Sequence, residues 1–294
     1  MKQLQGGQNM ENNSVLNLAE EPFGSIQGEG PSTGKPSVFI RFSGCNFKCS
    51  FCDTKFSWNT KSKDNYSIKM NDLIQEFLTG KFEKYSNIVI TGGEPLLYQE
   101  EISEFLRELI TILKFEFNKD ITVEIETNGS IKMKNAFLSE LIVPFGFDKN
   151  VSFNISPKLQ FLFDFEKTLE NFTNWEDPAY SYIDLFTAQE LKLYKDGTNF
   201  TDFFENISTL NNLDMSYNLK FVDSDEDNRK FIKLVLALID NWYNKRPPIY
   251  VMSECITREE QLERAQSTIN FCTDNRLIFS SRTHILLWNK KRGV

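Results

Sequence analysis

Six short apolar runs recur along the chain, most of them followed by a stretch of helical periodicity, and this alternation restricts the fold more than any other feature. The runs span 37–42, 87–90, 121–126, 151–155, 218–222 and 249–252. Val, Ile and Phe dominate them, as in strands covered on both faces. Residues 101–114 place Ile102, Phe105, Leu106, Leu109, Ile110 and Leu113 on one stripe, and 227–243 repeats the pattern. Residues 70–78 read as a shorter helix, and 258–272 as a more polar one with Leu262, Ala265, Ile269 and Phe271 toward its apolar side. Strand–helix alternation predicts a parallel α/β sheet. Residues 159–200, rich in Phe, Tyr, Trp, Asn and Asp, break the rhythm and read as an insertion in a single domain over 16–294. Residues 1–15 read as a polar extension.

With 294 residues, 40% of them hydrophobic, the chain can bury a core without disulfide or metal staples. A net charge of −8 argues against a nucleic-acid partner. No apolar run is long enough to span a bilayer. The opening MKQLQGGQNMENNSVLN lacks the apolar centre of a secretory signal, so a cytoplasmic location is expected. In that compartment cysteines serve as thiols or metal ligands more often than as disulfides.

Small, polar and Gly-rich residues follow the strands: Thr91 to Pro95, Thr127 to Gly129, and Ser156 to Lys158. Singly each could be a plain turn. In parallel α/β folds this C-terminal edge is where ligands bind. Just after the first run, Cys45, Cys49 and Cys52 are spaced C-x3-C-x2-C, while Cys255 and Cys272 stand alone and read as structural. Three readings of the cluster are open. It could be coincidence in a loop. It could be a structural zinc site with a fourth ligand from His284, Cys255 or Cys272. It could be an iron–sulfur cube held by three thiolates, leaving one iron open to a ligand that is not protein.

The cysteine spacing after the first strand, followed by Thr91-Gly92-Gly93-Glu94-Pro95 after the second, resembles the radical S-adenosylmethionine superfamily. In it the open iron of a [4Fe-4S] cluster is chelated by S-adenosylmethionine. Phe47 and Phe51, between the thiols, suit shielding of such a cube. The longer stretch FGSIQGEGPSTGKPSVFIRFSGCNFKCSFCDTKFSW and the terminal HILLWNKKRGV are similar to the 7-carboxy-7-deazaguanine synthase family. That resemblance covers about 16–294 apart from the insertion. Its members contract the ring of 6-carboxy-5,6,7,8-tetrahydropterin, with loss of ammonia, on the route to queuosine and other 7-deazapurines. The resemblance implies an incomplete TIM-like α/β barrel of about six parallel strands with flanking helices.

It also implies roles for residues. Ile26, Gln27, Gly28, Glu29, Arg41, Thr91, His284 and the terminal carboxylate of Val294 would contact the pterin. Phe51, Cys52, Asp53, Gly92, Gly93, Glu94, Thr127, Asn128, Ser156, Pro157 and Lys158 would surround S-adenosylmethionine. Cys45, Cys49 and Cys52 would hold the cluster and Thr54 a magnesium ion. The chemistry of the side chains agrees. A pterin edge needs both donors and acceptors, as Gln27 and Glu29 supply. A guanidinium fork suits a carboxylate, and a hydroxyl oxygen suits magnesium. Each also has a plainer reading. Gln27 and Glu29 could be turn residues, and Thr54 could cap a turn. Arg41, charged inside an apolar strand, needs a partner that a structural carboxylate would supply as well as a substrate. No side chain reads as a general base. A homodimer and a flavodoxin-type electron donor are implied by the family alone.

Two rival classes share parts of this pattern: an activase installing a glycyl radical on a partner protein, and a zinc-stabilised interaction protein. The activase has no need of Gln27 to Gly30, Arg41 and the C-terminal segment together. In that segment a terminal strand is expected to carry His284, with Ile285 to Trp288 anchored in the core and Lys290 to Arg292 fixing the path of the tail. The tail departs from the family at Asn289, where a glycine commonly follows the tryptophan.

Overall fold

The computed structural model describes residues 14–49, 52–142, 150–158, 200–243 and 246–293. The strands are β1 (Val15–Leu18), β2 (Phe23–Ile26), β3 (Pro36–Phe42), β4 (Tyr66–Lys69), β5 (Asn87–Gly92), β6 (Thr122–Thr127), β7 (Val151–Ile155), β8 (Ser216–Asp223), β9 (Ile249–Ser253) and β10 (Ile278–Phe279). The helices are α1 (Met70–Leu78), α2 (Gln99–Phe117), α3 (Asn135–Ile142), α4 (Phe200–Asn212), α5 (Glu226–Trp242), α6 (Arg258–Asp274) and α7 (Thr283–Trp288).

All strands join one sheet in the order β10-β9-β8-β7-β6-β5-β3-β1-β4, with β2 also on β3. The six expected strands, β3 and β5 to β9, run parallel in chain order, and β10 adds a short parallel bridge to β9. Among the described residues the sheet keeps two free ends, β10 and β4, so the barrel is incomplete, as expected. The antiparallel pairs at the β3 edge, formed by β1, β2 and β4, were not legible. No residue of β2 is fully buried, so it lacks the apolar signature of the central strands.

The strands are not apolar on both faces. Alternate residues point to opposite faces. One set, including Val38, Ile40, Ile88, Ile90, Val123, Ile125, Phe153, Leu219 and Val251, is at most 1% exposed and joins Ile102, Phe105 and Leu109 of α2 and Ile232 of α5 in the core. Burying each such side chain contributes about 1.5–3 kcal/mol. The other set is polar and also buried. Ser37, Asn87, Glu124, Asn154 and Asn218 form a hydrogen-bonded chain across five strands. Glu124 accepts from Asn87 (3.0 Å), Asn154 (2.9 Å) and Gln27 (3.3 Å).

Two elements differ from expectation. α6 buries Gln261, Thr268, Phe271 and Cys272, whereas Leu262 is 65% exposed. Its Thr268 hydroxyl donates to Asp223 at 2.7 Å and pairs with Ser253 at 2.9 Å, so hydrogen bonding rather than apolar periodicity sets the inward face. The segment after Arg282 is helix α7, not a strand. Of its apolar run only Ile285 is fully buried, and Leu287 is half exposed. A single turn and a half carries this run because only one side of it meets protein. The expected insertion lies outside the described residues except for Phe200, which opens α4, and the expected extension lies outside them up to residue 13.

Candidate active site at the strand ends

The loop that follows β3 carries the three thiols and is fastened to its neighbours by backbone. Glu94 N–H donates to the Gly44 carbonyl at 2.9 Å, and Gly93 N–H to the Phe42 carbonyl at 3.1 Å. A Cβ on Gly93 would run into the Gly44 carbonyl and one on Gly92 into that of Phe42, so this close approach requires glycine. Asn46 extends the frame: its amide donates to Ser130 and accepts from Asn128, both at 2.9 Å. Cys45 and Cys52 are partly exposed and Cys49 is buried. Burial pushes the Cys45 thiol up to about 12, against a Phe47 N–H bond, and the Glu94, Cys49 and Cys52 charges push the same way. Burial also raises Cys49, with Lys158 opposing.

Three soft thiols, two of them pushed up by burial and by neighbouring thiol charge, suit an iron–sulfur cube, whose irons supply the compensating charge. Among the described residues no three His, Cys, Asp or Glu side chains converge closely enough to hold one metal ion. A cube takes its thiolates at separate corners and does not require that convergence. Phe47 packs at the edge of the core. Phe51 lies outside the described residues.

Glu94 is fully buried. Its oxygens accept from the Leu96 N–H (2.9 Å), the Thr127 hydroxyl (2.6 Å) and the Asn128 N–H (2.7 Å), tying the loop after β5 to the loop after β6. Burial nevertheless raises its carboxyl to about 7. Ser156 accepts from Lys158 at 2.5 Å, and burial lowers the Lys158 ammonium, with the Cys49 charge opposing. Pro157 between them is buried.

The loop after β2 carries Gln27 to Gly30. The Gln27 side chain is 2% exposed; it donates to Glu124 and Glu126 at 3.3 Å each and accepts from the Gly28 N–H at 2.8 Å. Glu29 accepts from Lys220 and from Arg282, each at 2.8 Å. Lys220 also reaches Glu126 at 3.2 Å, and Arg282 reaches Asp53. Burial opposes the charge of Glu29, but Lys220, Arg282 and His284 outweigh it and hold the carboxyl well below its ordinary value. Partial desolvation likewise opposes the Asp53 charge, and Arg282 outweighs it and lowers the carboxyl. The His284 ring lies against the Gly28 backbone, where a Cβ would collide with Nδ1, and its Nε2 stands 4.0 Å from Glu29. Burial lowers its pKa although Glu29 opposes this.

Arg41 faces the same mouth. Glu20 accepts from its Nε at 2.7 Å, and its terminal NH2 groups carry no hydrogen bond among the described residues. Arg41 is paired with Thr91 in the β3–β5 register. Its guanidinium lies 6.0 Å from the Phe56 ring centre, and that of Arg292, in the tail, lies 4.0 Å from it. Thr54 begins the 3-10 turn 55–58 without capping it, and its hydroxyl lies 3.5 Å from the Cys52 sulfur. Ile26 closes β2, half-buried. Val294 lies outside the described residues.

Sequence reasoning missed Lys220, Arg282, Glu126, Asn46 and Glu20. Lys220 carries the signal that singled out Arg41, a charge inside an apolar strand. Arg282 stands two residues before the singled-out His284.

The chain forms a parallel partial barrel with three thiols after its first parallel strand and a Gly-Gly-Glu-Pro loop after the second. Residues 39–143 match the model described as the radical SAM superfamily. The chain is also similar to 7-carboxy-7-deazaguanine synthases. One, from Hyperthermus butylicus, is 39% identical over 117 residues, 40% of this chain and 44% of the relative. Another, from Clostridium acetobutylicum, is 38% identical over 152 residues, 52% of this chain and 58% of the relative. The matched stretches span about half the length of these relatives. The crystal structure of QueE from Escherichia coli shares the fold, with a TM-score of 0.55 at 20% identity, covering 92% of this chain and 95% of that one.

Proposed function

We propose that this chain is a 7-carboxy-7-deazaguanine synthase that converts 6-carboxy-5,6,7,8-tetrahydropterin to 7-carboxy-7-deazaguanine with loss of ammonia. The observation that carries the reading is the meeting, at one mouth of the sheet, of the thiol loop with Glu29, Arg41 and His284, contributed by segments far apart in sequence. Cys45, Cys49 and Cys52 would hold the [4Fe-4S] cluster. When bound, cluster and S-adenosylmethionine supply the electron and the 5′-deoxyadenosyl radical that takes a hydrogen from the substrate. The chain's own residues bind and orient. Arg41, held at Nε by Glu20, keeps its NH2 groups for the substrate carboxylate. Glu29, kept ionised by two cations, accepts from pterin N–H groups. His284, resting on Gly28, closes one side of the pocket. Thr54, whose hydroxyl caps no turn and among the described residues meets only the Cys52 sulfur, would ligate magnesium.

A homodimer, a flavodoxin-type donor and a cytoplasmic location complete the proposal; no helix among the described residues is long and apolar enough to cross a membrane. The test is anaerobic reconstitution followed by incubation with reductant, S-adenosylmethionine and the carboxy-tetrahydropterin. The expected sample is brown, holds about four irons per chain and forms the deazaguanine acid. Deoxyadenosine without that acid would refute the substrate, and a colourless protein holding one zinc would refute the reaction class.

A further inference from the structure

Arg282 is 7% exposed and uses its guanidinium in three directions. Nε donates to Glu29 at 2.8 Å, Nη1 to the Cys255 carbonyl at 2.6 Å, and Nη2 to Asp53. Its backbone is gripped as well. With the Gln261 amide oriented to satisfy both groups, that side chain donates to the Arg282 carbonyl and accepts from the Arg282 N–H, each at 3.1 Å. Gln261, on α6, is itself 3% exposed. Arg282 is therefore fixed from α6 and fixes two loops in turn. Asp53 directly follows Cys52, and its side chain is 41% exposed, so little else restrains it. Glu29 lies in the loop after β2, its second oxygen taken by Lys220.

We propose that Arg282 is a positioning residue that holds the loop of Gln27 to Gly30 and the end of the thiol loop in one fixed relation, so that the substrate side and the cofactor side of the site are aligned by a single guanidinium. A planar fork is needed because three acceptors lie in different directions; an ammonium on a flexible stem cannot address them together in that geometry. Small misplacements of reacting groups cost rate steeply, so the residue acts on chemistry through Glu29 and Asp53 without touching the reacting atoms. The inference rests on the proposed function for its cofactor side.

Hydrogen exchange on the unloaded chain tests the alignment without any ligand. In Arg282→Gln, the amides around 27–30 and around 52–58 exchange about tenfold faster, together, while those of β5 and β6 keep their protection. A response in only one loop, or in neither, overturns the proposal. The second arm titrates S-adenosylmethionine into cluster-loaded protein. Affinity weakens about tenfold in Arg282→Gln and is not rescued by Arg282→Lys; unchanged affinity, or full rescue by lysine, overturns it. Should Arg282→Gln fail to fold, Asp53→Ala removes one acceptor, leaves Arg282 its other two bonds and must free the 52–58 amides alone. Protein that passes both arms yet makes no deazaguanine acid refutes the proposed substrate and leaves Arg282 its role.

Discussion

Five charged side chains alternate in sign through the site: Glu126, Lys220, Glu29, Arg282 and Asp53. Each cation stands between two anions, and all but Asp53 are largely buried. Breaking such a chain leaves uncompensated charge, which costs more than the intact pairs contribute. Lys220→Met is therefore expected to cost about 3–5 kcal/mol, read from urea unfolding, although methionine fills a similar volume. Adding Glu126→Gln to it should recover part of the loss; a single variant as stable as the parent would contradict the account. Glu94 makes the opposite case, a buried carboxylate with hydrogen bonds but no cation bonded to it. Its carboxyl is raised from 4.5 to about 7, so between those values the folded chain holds a proton that the unfolded chain has released. Stability from this residue is present below that range and is lost as pH rises through it. Relative to Glu94→Gln, the parent is expected to be more stable by a larger margin at about pH 5 than at about pH 8. The reverse order in paired urea titrations would show that the three donors, not burial, dominate. Arg41, Glu29 and His284 were singled out because the family resemblance implied contacts for them. Their partners Glu20 and Lys220 were not, because only the fold says which charge meets which.

The C-terminal segment shows how an element departs from its pattern while keeping its purpose. An unbroken apolar run reads as a strand, but α7 needs only Ile285 inside, and Arg258 covers the helix end by donating to the Leu286 carbonyl at 2.6 Å. Asn289 takes φ 56°, a conformation that favours glycine. Its side chain also accepts from the Arg258 N–H at 2.7 Å. Asn289→Gly relieves the backbone and loses that bond, two effects of about 1 kcal/mol each that offset. Asn289→Ala loses the bond and keeps the strained backbone, and is expected to cost about 1–2 kcal/mol. Equal melting temperatures for the two variants would sink this reading. Beyond Asn289 the tail is exposed and touches the site through Arg292 on Phe56. Arg292→Ala is expected to cost under about 1 kcal/mol of stability while lowering turnover more than tenfold, since the contact is small but holds the tail on the Phe56 ring that Arg41 also approaches. Turnover and unfolding measured on the same preparation separate the two effects.

On the scale of the whole molecule, the sheet divides its labour between faces. The apolar residues alternate with polar ones that the sequence pattern places among aliphatics. The parallel order of β3 and β5 to β9 was legible because the apolar set alone makes the strands recognisable. The polar face was not, because its hydrogen-bonded chain unites five strands whose registers only the fold sets. Glu124 is the hub of that face and links it, through Gln27, to the loop that carries Glu29. Two effects compete when it is replaced by leucine. Burying the new side chain favours folding by about 1.5–3 kcal/mol. Against this, the amide donors of Asn87, Asn154 and Gln27 each lose an acceptor, at about 1–3 kcal/mol apiece. The losses win, so Glu124→Leu is expected to be several kcal/mol less stable, a large share of what a domain possesses. Glu124→Gln keeps one carbonyl oxygen among those donors and should cost less than half as much. The unfolding midpoint should fall without a change in slope, because the same surface is exposed when the sheet opens. A leucine variant more stable than the parent would mean that the polar face is held by the helices behind it and not by its own bonds.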